Sequence, residues 1–414
     1  MSNPNGTHGT HGTHGAHRPR ARVRLKLTPV ERKASVTLAL LFAARMLGLF
    51  LLTPIFAVAA TTIPGGNDAA KVGLALGAYG LTQAIMQIPL GMASDRFGRR
   101  PVIVCGMVLF IVGGVICALA SNIDWIVVGR VVQGLGAISA AITAWVADAT
   151  RPEVRTRAMA MVGGSIGLSF AVSLVLSPLL VGEFGLSGLF WAISLLGFVC
   201  LLIAAVVVPA VPRAETPIVQ VRPRDVLTHS DLLRLNFGVF CLHFILMSIF
   251  VVAPGLLARL GGYDSEHLWE VYLPVILLSF VLMVPAVFYT ETRHAHKVAL
   301  EIAVAGLVVV LALMPLASKG FGSTVVMFVG FFIAFNILEA LQPSLVSRVA
   351  PAEFKGLALG FYNTAQSLGV FAGGVCGGLL VSHGESKVFL AAAALAFIWF
   401  LTARGFRQDK SVTA

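Results

Sequence analysis

Four ionisable side chains, Arg45, Arg130, His243 and Glu339, stand inside long apolar stretches of this sequence. An ionic group at the centre of a membrane-spanning helix costs about 2.5–3.5 kcal/mol, so such groups face one another, an aqueous cavity or a partner. Glu339 is the first candidate to take up and release a proton, because removal from water disfavours the charged form of a carboxylate. The alternative is a carboxylate held permanently by Arg45 or Arg130. His243 could relay a proton or sit neutral in the packing. Tyr79, Gln83, Gln133, Asn336 and Gln342, with Asn363 and Gln366, supply hydrogen-bonding groups for a solute. The same groups could tie helices together, at about 0.6 kcal/mol each.

A second constellation is short and charged. GlyMetAlaSerAspArgPheGlyArgArg runs from Gly91 to Arg100, placing the acid Asp95 among Arg96, Arg99 and Arg100, with Gly98 between them. Gly91 allows close backbone approach. A carboxylate so placed can cap a helix N-terminus, where the dipole favours negative charge by about 0.3–1 kcal/mol. The plainer reading is an ordinary basic loop. A third run, GlyGlySerIleGly from Gly163 to Gly167, matches the GxSxG pattern of serine hydrolases, with His243 as a conceivable base. That nucleophile elbow needs a strand-to-helix turn, whereas this run lies in the middle of a helix.

The elements that must position these groups are set by hydropathy. Of the 414 residues 57% are hydrophobic and 12% charged, with mean hydropathy +0.89, against about 25% charged in a soluble domain. Apolar stretches recur at the roughly 20-residue length that crosses about 30 Å of hydrocarbon. We read twelve spans: Ser35 to Ala60, Ala69 to Ala93, Pro101 to Ala120, Trp125 to Ala149, Thr156 to Val181, Leu186 to Pro209, Asp231 to Leu257, His267 to Thr290, Val298 to Leu316, Gly322 to Ser347, Phe354 to Val381 and Lys387 to Arg404. The segment 210–230, with Pro212, Pro217 and Pro223, divides them into six-span halves, 35–209 and 231–404. Residues 1–34 form a low-complexity tail with His8, His11, His14 and His17, expected to be disordered, and 405–414 form a second tail. The first span is expected to act as an uncleaved insertion signal.

The net charge of +11 reports topology. Only Lys71, Arg259, Lys319 and Lys387 fall in connections on one side, and Arg45 and Arg130 lie within spans. All other basic residues fall on the opposite side or in the tails, an asymmetry that places both termini in the cytoplasm. Anionic lipid headgroups, not nucleic acid, are the expected partner of that charge. Cys105, Cys117, Cys200, Cys241 and Cys376 all lie in apolar runs, so neither a disulfide nor a metal cluster is expected, and no residue pattern calls for a cofactor.

The halves also carry traces of duplication. ThrArgProGluValArgThrArgAla (150–158) and ValAlaProAlaGluPheLysGlyLeuAla (349–358) share Glu153 with Glu353 and Arg155 with Lys355. Parallel six-span repeats build one major class of transporter.

Gly91 to Arg100 resembles the GxxxDRxGRR signature of the major facilitator superfamily at all six of its positions, and Arg130, Gln133, Gly134 and Gly136 resemble the family's RxxQGxG. Over its length the chain is similar to the YajR-type bacterial drug:proton antiporters. The likeness includes LysLeuThrProValGluArg before helix 1, ArgMetLeuGly at Arg45, TyrGlyLeuThrGln at Tyr79, LeuAsnPheGly at Leu235 and AlaPheAsnIleLeuGluAla around Glu339. The glycine-rich antiporter signature survives only as Gly163, Gly164, Gly167, Ser177 and Pro178. The resemblance implies an all-α fold of two pseudo-symmetric six-helix bundles in the inner membrane, working as a monomer and exporting small hydrophobic or amphipathic compounds in exchange for protons. It implies that helices 1, 4, 7 and 10, which carry Arg45, Arg130, His243 and Glu339, line a central cavity. It further implies that Asp95 meets the start of helix 11 near Lys355 and Gly356, and that Arg99 pairs with Asp148, latching the halves on the cytoplasmic side. Relatives often carry a soluble domain after helix 12, whose regulation is not expected here. The competing readings are a uniporter or symporter of a small polar solute, and an intramembrane hydrolase acting through Ser165.

Overall fold

The computed structural model describes residues 27–208, 223–351 and 355–406. Most of the tails expected over 1–34 and 405–414, most of the 210–230 segment, and Glu353 lie outside the described residues, as does the side chain of Glu153.

Helix α1 (Pro29–Phe50) starts six residues before the predicted Ser35, and the local chemistry explains why. Thr28 Oγ1 accepts from the Glu31 amide, Glu31 Oε2 accepts from the Thr28 amide, and Pro29 fills the first helical position. The predicted span does not continue as one helix to Ala60. Pro54 has no amide proton to give the Phe50 carbonyl, which takes Thr53 N at 3.1 Å instead. Ile55 leaves the helical region (φ −130°), and a short helix resumes at Phe56–Ala59.

Eleven further helices follow: α2 (Ala69–Phe97), α3 (Arg99–Ala118), α4 (Ile123–Asp148, interrupted between Leu135 and Ser139), α5 and α6 within the run Pro152–Leu202, α7 (Ser230–Gly261), α8 (Trp269–Thr292), α9 (His296–Ala317), α10 (Phe321–Val349), α11 (Lys355–Val381) and α12 (Glu385–Arg404). The 51-residue run is two antiparallel helices meeting at Gly185, whose φ of +66° suits a residue without a Cβ. Packing on α1 proves the reversal. Ser169 Oγ donates to the Ala43 carbonyl and Ser177 Oγ to that of Leu51, so α5 (152–184) runs parallel to α1. Cys200 lies on Leu41 and Ile193 beside Gly48, so α6 (186–202) runs antiparallel to it.

Among the described residues ten helices are long and apolar enough to cross a membrane. That figure treats the α5/α6 run as one and leaves out α2, whose Gln83 and Gln87 lower its hydropathy. The architecture is thus the expected all-α one, with twelve spans in two six-helix bundles. Helices α1 to α6 pack on one another, as do α7 to α12, and the bundles meet where α2 crosses α11 and where the α5/α6 run meets α8.

The α2–α11 crossing is closest at one end. A Cβ on Gly73 would lie 2.2 Å from the Gly374 carbonyl oxygen, so backbones touch there. Residues 72–80 of α2 are buried apart from Leu74. Toward the other end Ile85, Met92 and Phe97 are 60–65% exposed, and a Cβ on Gly356 or Gly360 of α11 would meet open space. The loosened end is the basic face, bearing Arg96, Arg99, Arg100, Arg151, Arg293, Arg348 and Arg404. The packed end is the opposite face, with Lys71, Arg259, Lys319 and Lys387.

Candidate functional site

In the second bundle α7, α10 and α11 converge on one polar centre. His243 is 4% exposed, and its Nδ1 lies 3.1 Å from the Val239 carbonyl, one turn back on α7. A carbonyl only accepts, so Nδ1 carries the hydrogen and the neutral ring presents a lone pair at Nε2. Gln366 Nε2 lies 2.7 Å from that lone pair. Glu339 Oε2 is 3.6 Å from the same Nε2 and has no hydrogen-bond partner. Glu339 is therefore paired with His243 and not with Arg45 or Arg130.

Both arginines are occupied inside the first bundle. Arg45 on α1 donates from Nη1 to Ser139 Oγ and from Nη2 to Tyr79 Oη, each at 2.7 Å. Arg130 on α4 donates to Gln133 Oε1 at 3.0 Å and to the Ala75 carbonyl at 3.4 Å, and its guanidinium stands 4.8 Å from the centre of the Tyr79 ring. Tyr79 thus bridges the two cations, one through its hydroxyl and one through its π face. Both arginines are about 1–2% exposed, and among the described residues no carboxylate reaches either within salt-bridge distance. They knit α1, α2 and α4 together.

Between the two centres lies an aromatic seam. Phe170 on α5 stands 5.2 Å from Phe50 and 6.1 Å from each of Phe250, Phe332 and Phe335. Phe332, Phe335 and Glu339 follow one face of α10 at helical spacing. Phe335 is 6.1 Å from the His243 ring, so the seam adjoins the His243–Glu339 pair directly. Asn336 Nδ2 donates to Ser279 Oγ at 3.0 Å, tying α10 to α8. Gln342 is fully buried with both polar atoms unpartnered, as is Gln83 Oε1.

The charged motif sits on the basic face. Arg99 Nε donates to Asp148 Oδ2 at 2.8 Å, and Nη1 donates to Ser94 Oγ at 2.7 Å and to Asp95 Oδ1 at 2.5 Å. Arg100 donates to the Val208 carbonyl at 2.6 Å and covers the Trp145 ring, while Arg96 lies over Phe97. A Cβ on Gly356 near the start of α11 would meet nothing within 4 Å, and residues 352–354 before it lie outside the described residues. Nearby, Glu31 accepts from the Arg151 amide and guanidinium at 2.7–3.1 Å, anchoring the start of α1 to the α4–α5 connection. Glu291 pairs with Arg348 and His296, and Glu301 with Lys297, while Arg293 lies over Tyr289.

The sequence motifs identified Arg99 with Asp148 and grouped His243 with Glu339 as cavity residues. They missed the pairing of His243 with Gln366 and the seam around Phe170. An isolated phenylalanine in an apolar helix carries no local signal. Ser165 Oγ donates to the Val162 carbonyl of its own helix, so it is spent within the turn.

Comparison with known proteins agrees with this fold. The family model of the Major Facilitator Superfamily matches residues 38–374. The chain is 42% identical over 394 residues to the inner membrane transport protein YajR of Escherichia coli K12, covering 94% of this chain and 86% of that one. It is 26% identical over 203 residues to the multidrug resistance protein MdtL of E. coli O9:H4, covering 47% of this chain and 51% of that one. Among solved structures, the D-xylose-proton symporter superposes with TM-score 0.73 at 15% identity, covering 91% of this chain and 98% of that one, a likeness of fold.

Proposed function

Since this chain belongs to the Major Facilitator Superfamily, a family of multi-pass membrane transporters and not of enzymes, we propose that it is a proton-coupled exporter of small hydrophobic or amphipathic compounds working by alternating access. The observation that carries this reading is the His243–Glu339 pair, with one unpartnered carboxylate oxygen beside an imidazole whose other nitrogen is already committed. A site that holds one proton between two groups is what coupling requires. The phenylalanine seam next to it offers an apolar surface drawn from both bundles, suited to a hydrophobic solute.

In this proposal the protein works as a monomer in the inner membrane, with both termini and the basic face in the cytoplasm and anionic lipid against the arginines. The opposite face is external and shut, and the cavity opens inward. Asp95, Arg96, Arg99, Arg100 and Asp148, with Gly91 and Gly98, form the cytoplasmic latch, which engages α11 when the inner side closes. Arg45, Tyr79, Arg130 and Gln133 hold the first bundle rigid, while Gln83, Asn336 and Gln342 offer hydrogen bonds to solute. The similarity to MdtL, named a multidrug resistance protein, supports the export direction.

The test is transport in proteoliposomes under an imposed pH gradient, over a panel of apolar cations, apolar anions, neutral amphiphiles and sugars. The proposal expects gradient-driven movement of at least one amphiphile, collapsed by a protonophore. Transport indifferent to the gradient for every compound moved would leave a uniporter.

A further inference from the structure

The interruption of α1 leaves several carbonyls without their helical donors, and two of them, those of Leu51 and Pro54, are satisfied by side chains from two different sources. The Leu51 carbonyl would bond the Ile55 amide, but Ile55 has left the helix, and Ser177 Oγ of the same bundle donates to it. The Pro54 carbonyl would bond the Val58 amide, which turns to the Ile55 carbonyl at 3.1 Å. Its donor is Tyr272 Oη, at 3.0 Å, from α8 of the other bundle. Tyr272 is 3% exposed, and its ring lies 6.5 Å from Phe250, itself against Phe170. Among the described residues this is the one hydrogen bond that joins the two bundles.

We infer that Tyr272 and Pro54 form the latch of the gate on the face opposite the basic residues, and that the Tyr272 hydroxyl holds this conformation against the one open on that face. The physical reason is an asymmetry of cost. A carbonyl buried without a donor is expensive, and in the closed conformation only the Tyr272 hydroxyl spares Pro54 that cost, whereas parting of the bundles on that face admits water to the carbonyl. The bond to Leu51 differs, because Ser177 travels with α1 and serves in both conformations. The inference rests on the reading that the halves rock against each other, and it adds the residue that biases the rocking.

The experiment uses spin labels on the full chain in lipid nanodiscs, at the exposed positions Thr61 and Glu270 on that face, one in each bundle. In the parent the distance distribution is expected to be dominated by the closed separation. Tyr272→Phe keeps the ring and removes the donor, and it is expected to raise the ratio of open to closed populations about tenfold. Ser177→Ala is the control: it should lower the melting midpoint and leave the distance distribution at the parent's. An unchanged distribution in folded Tyr272→Phe protein would overturn the inference, and so would an equal shift in Ser177→Ala, which would mark a general loosening. Because the readout is a distance, failure of proton coupling in transport assays would leave this test intact.

Discussion

His243 Nε2 and Glu339 Oε2 stand 3.6 Å apart on helices α7 and α10, with the imidazole oriented by the Val239 carbonyl and Gln366 beside the same nitrogen. Neither group has a second ionic partner among the described residues.

Glu339→Gln removes the carboxylate while keeping its shape. Gradient-driven transport is expected to fall to the level of protein-free liposomes, while exchange of labelled for unlabelled substrate without a gradient persists. His243→Gln should keep a partner for Gln366 and lower gradient-driven transport relative to that gradient-free exchange. Retention of full gradient-driven transport in Glu339→Gln would remove the proton site assigned here.

Tyr79→Phe takes the acceptor from Arg45 Nη2 in a site that water does not reach. A buried group left unsatisfied costs about 1–3 kcal/mol, more when charged. The expected outcome is a lower melting midpoint in detergent with the solute profile unaltered, read by thermal shift and by transport of the same panel. A changed solute preference at unchanged stability would move Tyr79 into the binding surface.

Asp95→Asn and Asp148→Asn each remove one carboxylate from Arg99. The exposed Asp95 contact is worth less than about 1 kcal/mol in this conformation, so its loss should leave stability near the parent's. If Asp95 is needed to close the inner side, transport should nonetheless slow in correctly inserted protein. A full rate in Asp95→Asn would end the latch assignment.

Orientation is checked by single cysteines in a cysteine-free background. A membrane-impermeant maleimide applied to intact cells is expected to label Lys71→Cys and to spare Arg96→Cys until the membrane is opened. Labelling of Arg96→Cys from outside would invert the topology argued from charge.

The elements themselves were largely legible in the sequence. Hydropathy located spans whose ends differ by a few residues from the helices, because a crossing needs about 20 apolar residues whatever they pack against. The exceptions have local causes. The Thr28–Glu31 capping box extends α1 at its start, and Pro54 breaks it before its predicted end. The contact between Arg99 of the charged motif and Asp148 of α4 was expected from the family resemblance and not from any local pattern.

What the amino-acid order determined by itself is what depends on a segment and the lipid around it, which is the spans and the all-α fold. Which carboxylate lies beside His243, which partners the buried arginines take and which tyrosine joins the halves were decided only by tertiary packing. Glu339 had His243, Arg45 and Arg130 all open to it as partners, and the crossing of α7 with α10 chose the first. Tyr272 and Pro54 are 218 residues apart. No local pattern links such positions, because contact between distant helices follows from how whole bundles fit.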